Sequence, residues 1–134
     1  MQADEARIRL RTASSAVLGT VDRDRGVHLV PVVFSMVGDD RIVIAVDSKP
    51  KQSRRLRRLA NVEADSRVSL LVDEYDDDWR RLWWVRVDGR ASVRERVEGG
   101  VERQHRRRYS QLEGHELGPW IDIEIGSISG WSAG

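Results

Sequence analysis

About six short β-runs separated by brief turns constrain the fold of this chain more than any other feature. Several runs alternate apolar and polar residues with the period of two that is typical of strands. The runs cover residues 16–21, 27–37, 41–46, 68–72, 79–93 and 120–125, and residues 126–131 continue the last one after a bend. Strands at this spacing, with only two or three helices, predict a small β-barrel that closes its own edges.

Two of these runs contain residues that restrict how the strand is used. Pro31 lies inside the second run and donates no ladder hydrogen bond, so it predicts an edge, a bulge or an opening towards a ligand. In the fifth run, Trp83 and Trp84 are adjacent, and adjacent strand residues point to opposite faces. Either one fills the core while the other meets a partner subunit or a planar ligand, or both serve core and interface packing.

Three segments have the apolar spacing of short helices. Residues 4–12 predict the first, and a basic helix follows Pro50 and should end near Asn61. Residues 94–109 predict the third, with Val97 and Val101 facing inward together with His105 or Tyr109. Because arginines flank His105, we expect solvent exposure there by default.

The composition limits the classes of partner. With 134 residues, the chain predicts one domain spanning residues 1–134, and the absence of cysteine excludes a disulfide framework. A net charge of +1 from many charges of both signs does not indicate a nucleic-acid partner. No window approaches the ~20 apolar residues of a membrane span, and the start lacks the apolar core of a signal peptide. We therefore expect no membrane partner and a cytoplasmic location.

Both lysines of the chain lie in one loop. Of the 23 lysine and arginine residues, only Lys49 and Lys51 are lysines, and they flank Pro50, where a β-run gives way to the basic helix. Lysine offers a compact ammonium, and the first turn of a helix presents free N–H groups and a positive dipole end. Together with Ser48 and Ser53, these groups predict a phosphate-binding corner. The alternative is a solvated basic helix that only caps the fold.

No catalytic or metal motif is recognisable in the sequence. Residues 73–78 form an acidic loop, but calcium loops place ligands in a defined register with a glycine at the sharp turn, and this loop has no glycine. Nucleophile elbows, glycine-rich nucleotide loops and zinc-binding helices are missing as well. We therefore expect no metal and no catalytic side chain, and an enzymatic reaction would depend on a bound cofactor.

The order of segments is informative as a whole. Its most specific parts are residues 18–21, 28–34, 47–51, 56–61 and 66–72. In this order they resemble the pyridoxamine 5′-phosphate oxidase-like, or flavin/deazaflavin oxidoreductase, superfamily. Residues 75–91 further resemble an actinobacterial subgroup that depends on coenzyme F420, an 8-hydroxy-5-deazaflavin.

The resemblance implies a fold and an assembly. It implies a mainly β protein with short helices, a split β-barrel of the kind found in FMN-binding proteins. Two chains would form a homodimer with two equivalent cofactor clefts at the subunit interface. The cofactor phosphate would be bound by Lys49, Lys51 and Ser53, with Arg57 as a further ligand. The backbone along the flavin or deazaflavin ring would be that of Pro31, Val32, Val33 and Phe34. The cleft would be lined by Trp79, Trp83 or Trp84.

The resemblance also implies an activity. A deazaflavin-dependent oxidoreductase would transfer a hydride to a small conjugated or planar substrate, and Arg54, Arg55 and Arg58 would meet the acidic tail of coenzyme F420. The alternatives are an FMN-dependent oxidase or reductase of the same fold and a non-catalytic flavin or haem binder. A nucleic-acid-binding barrel is disfavoured, because the acidic residues 73–78 adjoin the tryptophans and would repel phosphates.

Overall fold

The computed structural model describes residues 1–47 and 56–134, which form an antiparallel sheet and short helices. The strands are β1 (Ala16–Asp22), β2 (Gly26–Val32), β3 (Ser35–Val37), β4 (Arg41–Asp47), β5 (Arg67–Glu74), β6 (Trp83–Arg94) and β7 (Leu117–Ser132). The α-helices are α1 (Ala3–Thr12), α2 (Arg57–Ala64) and α3 (Gly99–Arg108). This confirms the predicted mainly β fold with short helices. No helix within the described ranges is long and apolar enough to cross a bilayer.

The sheet has its two edge strands next to each other in the chain. The strand order is β2-β1-β5-β6-β7-β4-β3, and every neighbouring pair is antiparallel. Only Val33 and Phe34 separate β2, at one end of this order, from β3, at the other. The three Cα–Cα steps from Val32 to Ser35 span at most about 11 Å, so the sheet must curl until its ends approach each other. We call Val33 and Phe34 the seam of the barrel.

The core lies inside the curled sheet. Alternate residues of the central strands point inward, for example Leu18 in β1, Leu70 in β5 and Val85 in β6, and all three are fully buried. Helix α1 contributes Leu10 to the same cluster, which shows which face of that amphipathic helix meets the barrel. Such burial contributes roughly 1.5–3 kcal/mol for each large apolar side chain.

Several elements begin or end at other residues than predicted, because strand pairing sets their boundaries. The run 27–37 is interrupted at the seam, because β2 pairs with β1 whereas β3 pairs with β4. The run 79–93 begins with a single 3-10 turn, Trp79–Arg81, whose N-terminal Asp78 accepts a hydrogen bond from the Arg80 backbone. Strand β6 then pairs with β7 as far as Arg94, so α3 begins only at Gly99.

Candidate functional site

One of the two seam residues, Val33, has backbone groups without a partner among the described residues. The Val33 side chain is 38% exposed, whereas Phe34 is fully buried. The hydrogen bonds of the described residues include none to the backbone of Val33. Pro31 lies two residues earlier on the edge strand β2, which confirms the edge prediction. Val33 therefore offers an N–H and a carbonyl that no other described residue engages, at the junction between the two edge strands.

The predicted phosphate corner starts from the strand next to the seam. Ser35 of β3 pairs with Val43 of β4, and β4 then runs on antiparallel to β3 as far as Asp47. The chain thus leaves the described residues on the seam side of β4. Residues Ser48, Lys49, Lys51 and Ser53 lie outside the described residues, and so do Arg54 and Arg55, so their assignment to a phosphate stays a prediction.

Helix α2, at the Asp22 end of β1, presents two neighbouring arginines in different environments. The Nε atom of Arg57 is 3.5 Å from an Asp22 carboxylate oxygen, so this predicted phosphate ligand already has an anionic partner. Arg58 has a buried Nε with no hydrogen-bond partner among the described residues, and burial lowers the pKa of its guanidinium. A partly desolvated cation without a carboxylate is an unfavourable arrangement that an anionic ligand would relieve.

The adjacent tryptophans point to opposite faces, as predicted. Trp83 packs against the core, donates from Nε1 to Glu74 at 2.9 Å, and lies under the Arg9 guanidinium at 4.8 Å. Trp84 faces outward and lines a groove of about 380 Å³. Trp79 is 76% exposed. The structure therefore keeps Trp83 for packing and leaves Trp84 and Trp79 accessible; the assignment of any tryptophan to a cofactor cleft stays a prediction.

The outside of the sheet carries an apolar surface, which we call the outer-face patch. It crosses β2, β1, β5, β6 and β7, and Trp131 pairs directly with Trp84 within it. A second groove of about 400 Å³ lies at its β1–β2 end. The members are Val17, Val27, Leu29, Leu71, Tyr75, Trp84 and Trp131. Charged side chains also line the two grooves beside these apolar residues, namely Arg67, Asp73, Arg86 and Asp88.

Helix α3 contributes a buried histidine that contradicts the expected exposure. His105 is fully buried, and its Nδ1 lies 2.6 Å from the Oγ of Ser35, the first residue after the seam. Burial lowers the pKa of His105 to about 4, and the charges of Arg108 and Arg106 act in the same direction. The spacing of Val101, His105 and Tyr109 at every fourth residue was the signal for this inward face.

The cavity of about 560 Å³ beside β4, β6 and β7 has a structural explanation. Arg41 donates to Asp122 at 2.7 Å and to Glu98 at 2.5 Å, and this contact lowers the pKa of Glu98 to about 2. Arg94 donates to the same Asp122 at 3.0 Å. Because these charges satisfy one another, the cluster ties α3 to the sheet and does not indicate a ligand site.

Solved structures with the same fold include two flavin-binding proteins. A conserved hypothetical protein from Mycobacterium tuberculosis superposes with a TM-score of 0.74 at 19% identity, covering 99% of this chain and 86% of that chain. An FAD-binding protein from Mesorhizobium loti superposes with a TM-score of 0.69 at 22% identity, covering 97% of this chain and 92% of that chain. An FMN-binding protein from Syntrophomonas wolfei superposes with a TM-score of 0.69 at 24% identity, covering 97% of this chain and 86% of that chain. These similarities confirm the predicted split-barrel fold.

A sequence comparison reaches the level of a family. Residues 3–131 match a family described as pyridoxamine 5′-phosphate oxidase. No protein with curated annotation matches the chain.

Proposed function

The chain belongs to the pyridoxamine 5′-phosphate oxidase family, and from this premise we propose that it is an oxidoreductase that binds a flavin or deazaflavin at the seam. The exposed Val33, whose backbone forms no hydrogen bond with another described residue, carries the proposal, because a flat heterocycle with N–H and carbonyl groups can pair with such a backbone edge. When bound, the cofactor would supply hydride transfer to a small conjugated or planar substrate, and the protein would hold the two face to face.

Two cofactors are candidates, each on a different observation. Coenzyme F420 is our first choice, because residues 75–91 resemble the F420-dependent subgroup and the arginines of residues 54–58 suit its acidic tail. FMN is the second, because proteins of the same fold are described as FMN-binding and FAD-binding.

Titration of the purified apo protein with coenzyme F420 and, in parallel, with FMN tests the proposal. The five tryptophans provide the signal, because a bound ring system quenches their fluorescence. We expect saturable quenching by at least one cofactor. The cofactor that binds more tightly decides between coenzyme F420 and FMN. If neither cofactor quenches the fluorescence, the proposed function is contradicted and a haem binder is favoured. A strong Soret band on haem addition would identify it.

Arg58 provides a prediction in which affinity and stability move in opposite directions. Replacing Arg58 with methionine keeps the apolar length of the side chain but removes a guanidinium whose buried Nε has no partner among the described residues. We expect cofactor affinity to fall by about 10- to 100-fold, corresponding to about 1.5–3 kcal/mol for a hydrogen bond to a charged group. The free energy of unfolding in urea should stay the same or rise, because the desolvation cost disappears.

The matched control is Arg57→Met, one residue earlier on the same helix. Arg57 pairs with Asp22 and is half-exposed, so its removal should change cofactor affinity less than the Arg58 substitution does. Equal affinity in the Arg58→Met and wild-type proteins would exclude Arg58 as a ligand of the cofactor's anionic groups.

We also propose that the outer-face patch pairs with a second copy of the chain, so that the protein is a homodimer. Support comes from the exposure of Val27 (76%) and Leu29 (67%), which is costly in a monomer. At a twofold interface each substitution enters twice, so Leu29→Asp would bring uncompensated charges from both subunits into an apolar contact. We expect sedimentation velocity to show a wild-type dimer and a monomeric Leu29→Asp variant.

The control for dimerisation is Ile8→Asp on α1, because Ile8 is 62% exposed but lies outside the outer-face patch. This variant should remain dimeric. If the cofactor cleft is shared between subunits, the monomeric Leu29→Asp protein should also lose cofactor affinity, whereas a monomeric wild type at micromolar concentration would contradict the proposed assembly.

A further inference from the structure

Tyr109, the residue that directly follows α3, contacts the seam through its hydroxyl. The hydroxyl of Tyr109 accepts a hydrogen bond from the Phe34 N–H at 3.3 Å and donates to the Phe34 carbonyl at 2.7 Å. The same hydroxyl lies 3.1 Å from the Ser14 carbonyl in the segment between α1 and β1. The Tyr109 hydroxyl therefore links the seam to the end of α3 and to the segment between α1 and β1.

This contact determines which backbone groups of the seam are available to a ligand. Both polar backbone groups of Phe34 are engaged by Tyr109, and its side chain is fully buried. The Phe34 N–H is therefore not free to bind a ligand, and its carbonyl already accepts one hydrogen bond. The exposed Val33, whose backbone no described residue contacts by a hydrogen bond, is what remains.

Neighbouring contacts of α3 fix the residues on the far side of the seam. His105, one helical turn before Tyr109, binds Ser35 through Nδ1, and the two rings are 5.1 Å apart. Gln104 donates to the Met36 carbonyl at 3.1 Å. Trp120 closes the other side of His105 at 5.5 Å. The end of α3 and Tyr109 thus hold three consecutive residues, Phe34, Ser35 and Met36. At the seam itself, Tyr109 bonds to the Phe34 backbone, and the Arg108 guanidinium lies over the Phe34 ring at 5.6 Å.

We propose that Tyr109 is a positioning residue for cofactor binding: it fixes the Phe34 peptide groups so that the Val33 N–H and carbonyl face the heterocyclic edge of the cofactor. The inference rests on the proposed function. The ligand class is a flavin or deazaflavin, whose pyrimidinedione edge alternates carbonyl acceptors with an N–H donor. Without the hydroxyl, the seam would sample several peptide orientations, and binding would have to select one of them.

The test compares Tyr109→Phe with Gln104→Ala and the wild type. Tyr109→Phe keeps the ring that packs on His105 and Arg108 but removes the hydroxyl. Gln104→Ala removes a tie from the same helix to β3 without touching the seam. FMN and coenzyme F420 are titrated into each protein by tryptophan fluorescence. Amide hydrogen exchange at Phe34 is followed by NMR without ligand, because this readout reports the contact itself.

We expect Tyr109→Phe to weaken cofactor binding by about tenfold and to accelerate exchange at Phe34, whereas Gln104→Ala should leave both unchanged. Unchanged affinity or unchanged exchange in Tyr109→Phe, with a wild type that binds, would overturn the role of Tyr109 alone. A wild type that binds neither cofactor would overturn the proposed function and this inference with it. If both variants lose affinity equally, α3 acts only through stability and the inference is wrong.

Discussion

Replacing Gly89 with alanine is expected to destabilise this protein by about 3 kcal/mol, the upper end of the usual range for overpacking. A Cβ at Gly89 would lie 2.3 Å from the carbonyl oxygen of Glu124 and 3.2 Å from its carbonyl carbon. Both are backbone atoms of β7, at the position where β6 and β7 shift register. Because no side chain can rotate away, the two longest strands must separate there. Urea denaturation measures the effect.

Gly100→Ala is the matched control for this prediction. Gly100 lies in the first turn of α3, and a Cβ there would meet only the far end of the Arg103 side chain at 3.7 Å. Alanine in a conformation that it tolerates should stabilise the protein by about 0.4–1 kcal/mol, by restricting the unfolded chain. Wild-type stability in Gly89→Ala would show that the strands yield more easily than their pairing indicates.

Acidification should cost this protein stability before its carboxylates titrate, because of His105. Its pKa is about 4 in the folded state against an ordinary 6.5, so the unfolded chain binds the proton first as pH falls. The stabilisation is complete above pH 6.5 and is lost as pH falls from 6.5 towards 4. At 1.36 kcal/mol for each pKa unit, the loss approaches about 3 kcal/mol.

Urea unfolding at pH 7, 5.5 and 4.5, in the wild type and in His105→Asn, measures this loss. Asparagine can keep a hydrogen bond to Ser35 but does not titrate, so the variant should start less stable and lose less on acidification. Glu98, whose pKa is lowered to about 2, affects stability only as pH falls below its ordinary 4.5, which separates the two effects. Parallel pH profiles would contradict the role of His105.

The sequence predicted the strands well where one face of each strand is buried. The adjacent tryptophans were predicted to point to opposite faces, and Pro31 indicated an edge, a bulge or an opening, because these properties depend on local chemistry. The seam was not predicted, since residues 27–37 read as one continuous run. Its interruption depends on which strands β2 and β3 pair with, and those partners lie at opposite ends of the sheet.

The candidate site was predictable only in part, for a related reason. The seam residue left available is Val33, and its polar groups are backbone atoms that every residue possesses, so no side chain there specifies the cofactor. His105 was obscured by Arg106, Arg107 and Arg108, which follow it directly and suggested a solvated surface. The distinguishing signal was the inward stripe at every fourth residue of α3.

The seam also limits how a chain of this kind can evolve. Inserting residues into the turns before β2 or before β4 lengthens only the tip of a hairpin, which strand pairing tolerates. An inserted residue between Val33 and Phe34 either reverses which side chains of β3 face the core or must be accommodated as a bulge in the barrel wall. The length of the seam, where we propose that the cofactor binds, is therefore constrained by the pairing of its flanking strands. New specificities should arise there by substitution of neighbouring side chains rather than by growth of a loop.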